Sequence, residues 1–326
     1  MPRARMPPIF PPPIIATFLP VNIVFSSSAV MANTCTFFRH PVNTIPFFHC
    51  IKTRFCDSHL HGRAKLMLKD FKVKENKVAC WVNPADFGAH AQSLVFLHGS
   101  GGNSGAWSEQ YSVLHKSFNI AAIDLPGHGK SEGSGEKDIF AYVLRLKEIL
   151  EVLKLKRPVL VGHSLGAAIA LGFAVKYPQD LSAVVAVGGG LTMPVNPDIL
   201  EGFAKQPDLI LDLMCKFSIA KENRPKLFEP LRESLGQAHV DVVAGDMLAC
   251  SKFDLTGELQ NIRVPVLAVC GKEDKMTPPA LSERIAAGIA GAKLVLIEGA
   301  GHTVMLERPE AFNDALKNFC AEIASA

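Results

Sequence analysis

The sequence has no C-x-x-C pair and no cysteine–histidine spacing that would hold zinc. Its eight cysteines, Cys35, Cys50, Cys56, Cys80, Cys215, Cys250, Cys270 and Cys320, are scattered. Neither a metal site nor a disulfide framework is implied, and reduced, mostly buried thiols are expected. Acids are nearly absent from the first 66 positions, where Asp57 stands alone against seven Lys and Arg. The net charge of +3 therefore hides about −3 on the rest of the chain, and no basic footprint for nucleic acid survives that split. Unbroken apolar length is lacking too. The stretch 9–30 is apolar, but Pro11, Pro12, Pro13 and Pro20 would break a membrane span or the helical core of a signal peptide.

What is present is ample material for a core. The chain has 326 residues, 48% of them apolar, enough for one large α/β domain or two modest ones. Residues 1–66 stand apart, with nine of the 22 prolines, eight of the 20 phenylalanines and no sustained period. They read as a disordered N-terminal extension, or as residues upstream of a start at Met67. A signal peptide ending near Val30-Met31-Ala32 and a basic transit peptide are the alternatives. Cytoplasmic location is expected for the remainder, with export or organelle targeting by 1–66 left open.

From Met67 onward the pattern is regular. Residues 68–74 and 78–82 read as a hairpin, and 94–97, 120–125, 159–162, 183–187, 266–269 and 294–297 as further strands. Helical segments lie between them, such as 140–153 with Val143, Leu144, Leu146, Leu150 and Leu153 at three-four spacing. This alternation predicts an α/β fold: a doubly wound, mainly parallel sheet with helices on both faces. One interruption, 191–255, is rich in Leu, Met, Phe and Lys, with prolines at 194, 197, 207, 225 and 230. It is read as short helices forming a lid inserted in a core of 67–190 and 256–326.

The chemistry begins at Gly162-His163-Ser164-Leu165-Gly166, directly after the apolar run 158–161. A serine between glycines at a strand-to-helix turn has the form of a nucleophile elbow, in which strained backbone angles lift the hydroxyl clear of the sheet. Serine needs a base, and the base needs an acid to hold its tautomer. Asp274, just past the strand at 266–269, is the candidate acid, ahead of Glu273, Asp246 and Asp254. His302, just past 294–297, is the candidate base. Carboxyl ends of parallel strands gather on one edge, so three distant residues converge there. The side-chain-poor segment His98-Gly99-Ser100-Gly101-Gly102 offers amides for an oxyanion hole. Ser100 N–H is the first choice, ahead of Gly101, with Leu165 N–H at the following helix start as the second donor.

Five motifs in order, His98-Gly99, Asp124-Leu125-Pro126-Gly127-His128-Gly129-Lys130-Ser131, the Ser164 elbow, the Asp274 loop and Gly301-His302, resemble the α/β-hydrolase superfamily from about residue 68 to 319. The resemblance implies an eight-stranded sheet with a cap after the sixth strand, and carries the catalytic roles to Ser164, Asp274 and His302. Ala167 departs from it, since many relatives have a further glycine there. No cofactor is implied. The expected activity is serine hydrolysis of small hydrophobic carboxylic esters through an acyl-enzyme. A carbon–carbon hydrolase of dienone-type substrates and a ligand receptor retaining the triad are the alternatives. A dehalogenase would need an aspartate at 164. The partner expected is a small-molecule substrate, with no nucleic acid and no membrane span, and the oligomeric state is left open. His98, His128 and His163 read as structural or pocket-lining groups, Asp124 as the fastener of its own turn, Met193, Met214 and Met247 as helix packing, and Trp107 as packing for the helix after the oxyanion loop.

Overall fold

The computed structural model describes residues 67–83 and 87–325. The expectations for 1–66 lie outside the described residues. The ordered chain runs β1 (Met67–Val73), β2 (Asn76–Val82), β3 (Ser93–Leu97), α1 (Ser108–Leu114), β4 (Asn119–Ile123), α2 (Ile139–Leu153), β5 (Val159–His163), α3 (Leu165–Lys176) and β6 (Ala183–Val187). It continues through α4 (Pro197–Lys205), α5 (Pro207–Ser218), α6 (Arg224–Leu235), α7 (Val240–Ser251), β7 (Val266–Gly271), α8 (Pro279–Gly288), β8 (Lys293–Ile297), α9 (Val304–Glu307) and α10 (Pro309–Ser325). All eight strands join one sheet in the order β1-β2-β4-β3-β5-β6-β7-β8. β2 pairs antiparallel with β1 and β4, and the remaining pairings are parallel.

The apolar runs at 94–97, 120–123, 159–161 and 183–187 are continuous because both faces of these strands are covered. Alternate residues serve opposite cores. Val95, Leu97, Ala121, Ile123 and Leu160 face the core built with α2, α3 and α8. Leu94, Phe96, Ile120, Ala122 and Val159 face the core built with α1 and α10. Trp107 belongs to the second core and packs on Phe96 and Phe312, with ring centroids 5.0 and 6.0 Å away. α2 begins one residue before its apolar pattern suggested, because Asp138 caps it by accepting from the amides of Phe140 and Ala141. α3, buried from Leu165 to Ala174, is apolar all round because it is enclosed by sheet and neighbouring helices.

Between β6 and β7 the chain leaves the sheet for four helices, α4 to α7. Phe203, Ile210, Met214, Leu235, Val243 and Met247 give them a core of their own. The end of α7 returns to the main core through Ala249 and Cys250. Met214 and Met247 are thus helix packing, and Met193 lies in the main core. The five described cysteines, Cys80, Cys215, Cys250, Cys270 and Cys320, are buried and free. No helix among the described residues is long and apolar enough to cross a membrane.

Candidate active site

Register brings the carboxyl ends of β3, β5, β6, β7 and β8 to one edge. Leu97 is level with Gly162, His163 with Val187, Val187 with Val269 and Gly271 with Ile297. The ladder continues one step into the loops, where Ser164 N–H donates to Val187 O at 2.9 Å and Gly188 N–H to Val269 O at 2.8 Å. Ser164, the 98–102 loop, Asp274 and His302 all sit just past that edge.

Ser164 has φ 53° and ψ −112°, a left-handed, strained conformation for a residue with a Cβ. The turn is this tight because the flanking glycines permit contact. A methyl on Gly162 would overlap the Gly166 carbonyl, and one on Gly166 the Leu97 carbonyl. Ala167 is accommodated because Gly189 faces it, where an added Cβ would lie 2.6 Å from the Ala167 methyl. Ser164 is half-buried, while the residues on either side of it are buried.

Asp274 and His302 are in direct contact, with His302 Nδ1 2.9 Å from Asp274 Oδ2 and both side chains nearly inaccessible to solvent. Asp274 Oδ1 accepts from the amides of Met276 and Thr277, each at 2.8 Å. The Thr277 hydroxyl lies 2.9 Å from both Asp274 Oδ2 and His302 Nδ1, and 2.8 Å from Gly188 O. This buried carboxylate is therefore satisfied on both oxygens. No hydrogen bond joins Ser164 to His302. The two are linked instead through His163, whose Nε2 donates to His302 O at 3.0 Å and whose ring lies 4.6 Å from that of His302. Burial, then the neighbouring His302, hold His163 well below the ordinary histidine range. The rival acids lie elsewhere. Glu273 is exposed, Asp254 caps Thr256 at the surface, and Asp246 faces His128.

His98 donates from Nδ1 to Gly99 O at 2.8 Å and accepts the Leu125 amide at Nε2, 3.0 Å away. Burial, then its neighbour His128, push it down to about 3. Asp124 accepts from the amides of Ser104 at 2.7 Å and Lys130 at 2.9 Å, fastening its own turn and the segment after the 98–102 loop.

Two further groups, which no sequence motif marks, hold the site together. Thr277, described above, braces the Asp274–His302 contact. Glu307, buried at the end of α9, accepts from Gly301 N–H and the Thr303 hydroxyl at Oε1, and from Ala220 N–H and Asn223 Nδ2 at Oε2, at 2.7–3.0 Å. It thus ties the His302 loop to the segment after α5, and Ser218, the last residue of α5, adds its carbonyl as acceptor for His302 N–H at 2.8 Å. The Thr303/Glu307 spacing of four was the only local hint. Replacing Glu307 with glutamine should lower stability by about 1–3 kcal/mol, since either orientation of the amide leaves one backbone N–H facing an NH₂ group. A melting temperature lower by about 2–4 °C per kcal/mol, together with slower turnover, is the expected reading.

A family model described as the alpha/beta hydrolase family matches residues 94–315. The chain belongs to the α/β-hydrolase family. Among similar proteins is the 2-hydroxy-6-oxononadienedioate/2-hydroxy-6-oxononatrienedioate hydrolase of Paraburkholderia phymatum, 27% identical over 278 residues that cover 78% of this chain and 96% of that protein. A solved thermophilic esterase is 32% identical, with a TM-score of 0.69, over 79% of this chain and 99% of its own. The enol-lactonase of Burkholderia xenovorans, 21% identical, shares the fold with a TM-score of 0.73 over 78% of this chain and 100% of its own. Like other α/β-hydrolases, this one is placed among hydrolytic enzymes.

Proposed function

We propose that this α/β-hydrolase is a serine carboxylesterase for small hydrophobic esters, working through an acyl-enzyme. The observation that carries the reading is the 2.9 Å contact between Asp274 and His302 beside a serine in the strained elbow conformation. With Asp274 accepting the Nδ1 proton, His302 keeps Nε2 free to take the Ser164 proton as Oγ attacks the ester carbonyl. His302 then returns that proton to the departing alkoxide, and water clears the acyl group by the same route.

The oxyanion donors are Ser100 N–H and Leu165 N–H. Gly101 N–H donates to Asp246 and Gly102 N–H to Gly99 O, which leaves Ser100 as the choice within residues 100–102. Leu165 is the first residue of α3, where the amide has no partner within the helix.

Residues 191–255 act as a lid. Their Val243 and Leu235 approach Gly101, an apolar surface beside the carbonyl that suits a hydrophobic acyl or alcohol group. The likeness to the thermophilic esterase favours ester cleavage.

A second reading, carbon–carbon hydrolysis of a dienone-type substrate by the same three residues, is favoured by the name of the Paraburkholderia relative. Steady-state assay separates them. Sustained turnover of p-nitrophenyl butyrate, with little on a 2-hydroxy-6-oxo-dienoate, is the expected result. The reverse preference overturns the esterase assignment in favour of the second reading, and a single burst without turnover points to a receptor.

A further inference from the structure

Asp246 has no solvent exposure and belongs to α7, outside the sheet. Its carboxylate nevertheless gathers four donors from three other parts of the chain. Oδ2 accepts the Ser100 hydroxyl at 3.0 Å, Gly101 N–H at 3.1 Å and His128 Nε2–H at 2.9 Å, while Oδ1 accepts the Tyr142 hydroxyl at 2.6 Å. A buried carboxylate is costly without a counter-charge, and geometry supplies one. His128 Nδ1 lies 3.1 Å from Pro126 O, so both ring nitrogens face acceptors and both carry protons. Burial pulls the His128 pKa down, but the hydrogen bond and charge of Asp246 outweigh it, and the net displacement is upward. His98, whose ring lies 4.8 Å from His128, stays neutral between its own two hydrogen bonds, so the cluster holds one charge of each sign.

We propose that Asp246 is a positioning residue for the oxyanion loop, gripping Ser100 by its hydroxyl and by the following Gly101 N–H and so fixing the preceding Gly99–Ser100 peptide in the orientation that presents Ser100 N–H to the substrate. Gly101 sits at φ +67°, and glycine leaves the adjoining peptides free to rotate. Asp246 removes that freedom on the Ser100 side by holding the Gly101 amide and the Ser100 hydroxyl together on Oδ2, while Gly102 N–H is held by Gly99 O. Because Asp246 travels with α7, the oxyanion hole is complete only when the inserted helices are seated. The inference rests on the serine-hydrolase reading but not on the choice between ester and carbon–carbon cleavage.

Phosphonylation by a fluorophosphonate needs the nucleophile and the oxyanion hole whatever the natural substrate, so its rate, resolved into kinact and KI on the full chain, is the readout. Asp246→Ala should lower kinact by about 30- to 100-fold, approaching the loss of one oxyanion donor, with KI within about threefold. Asp246→Asn is the conservative variant. Its carbonyl can occupy the Oδ2 position while its NH₂ donates to a rotated Tyr142 hydroxyl. It should keep kinact within about fivefold of wild type even though it melts lower, because the counter-charge of His128 is lost. A structural role alone would make kinact follow melting temperature in both variants, and that result overturns the proposal. An Asp246→Ala protein labelled as fast as wild type overturns it too. Should Asp246→Ala fail to fold, Ser100→Ala removes one anchor and keeps the backbone N–H; kinact should then fall by about three- to tenfold with melting lowered by no more than the few degrees one lost hydrogen bond costs, and an unchanged kinact counts against the proposal. Wild-type protein that takes no label at all removes the hydrolase reading itself, an outcome distinct from every variant comparison.

Discussion

Replacing Ser164 with alanine is expected to lower ester hydrolysis by about 10⁵- to 10⁶-fold and to abolish fluorophosphonate labelling, with melting temperature within about 2 °C of wild type. The reason for so large a loss is that no other group stands at the tip of the elbow. His163 on one side is committed to His302 O, and Leu165 on the other is buried. The reason for an unchanged fold is equally local. The elbow is built from backbone contacts, Ser164 N–H to Val187 O and Ser164 O to the amides of Ala167 and Ala168, all of which alanine retains. Alanine also keeps the Cβ, so the strain at φ 53° is neither relieved nor increased. What activity remains would reflect substrate binding and the oxyanion donors alone. A variant that still hydrolyses esters at wild-type rate would remove Ser164 from the mechanism and turn attention to a water activated by His302.

The central sheet was legible because β3 to β7 are short, largely apolar runs closed by turns, and hydrophobic pattern alone locates such runs. The convergence of Ser164, Asp274 and His302 on one edge followed from topology, since parallel strands put their carboxyl ends together. The supporting groups were harder to see. In the sequence Asp246 is a rival acid for His302, as is any carboxylate that precedes the last strands. Its partners are 104 to 146 positions away in the chain, and no local pattern announces a contact made by folding α7 against the first half of the sheet. His128 illustrates the same limit. Its place in a turn was plain, but its charge depends on a carboxylate delivered from a later helix. Thr277 lies three residues after Asp274, within reach of local reasoning about side chains that close turns on neighbouring amides, but its contact with His302 Nδ1 is made only when the loop 25 residues further on folds beside it.

Replacing Asp274 with asparagine should slow turnover by about 10⁴-fold while leaving the fold intact. The hydrogen-bond directions dictate which way the new amide points. Two backbone donors, Met276 N–H and Thr277 N–H, converge on Oδ1, so the asparagine oxygen must stay there and its NH₂ must take the place of Oδ2. That NH₂ then faces His302 Nδ1 2.9 Å away. Two donors cannot share the contact, and His302 shifts its proton to Nε2, leaving Nδ1 as acceptor. The nitrogen that should take the serine proton now carries one of its own. Stability is spared because the Thr277 hydroxyl can accept from the new NH₂ while donating to Gly188 O at 2.8 Å, so no buried polar atom loses its partner. KM should change by less than about threefold, since the loss falls on the transition state rather than on binding. Steady-state kinetics beside a thermal melt test the prediction. A variant within tenfold of wild type would mean that His302 does not depend on Asp274 for its tautomer. The same substitution at Asp246, where the amide can be satisfied without disturbing His302, should not produce a loss of this size, so the pair of variants separates the carboxylate that acts on the base from the one that acts on the oxyanion loop.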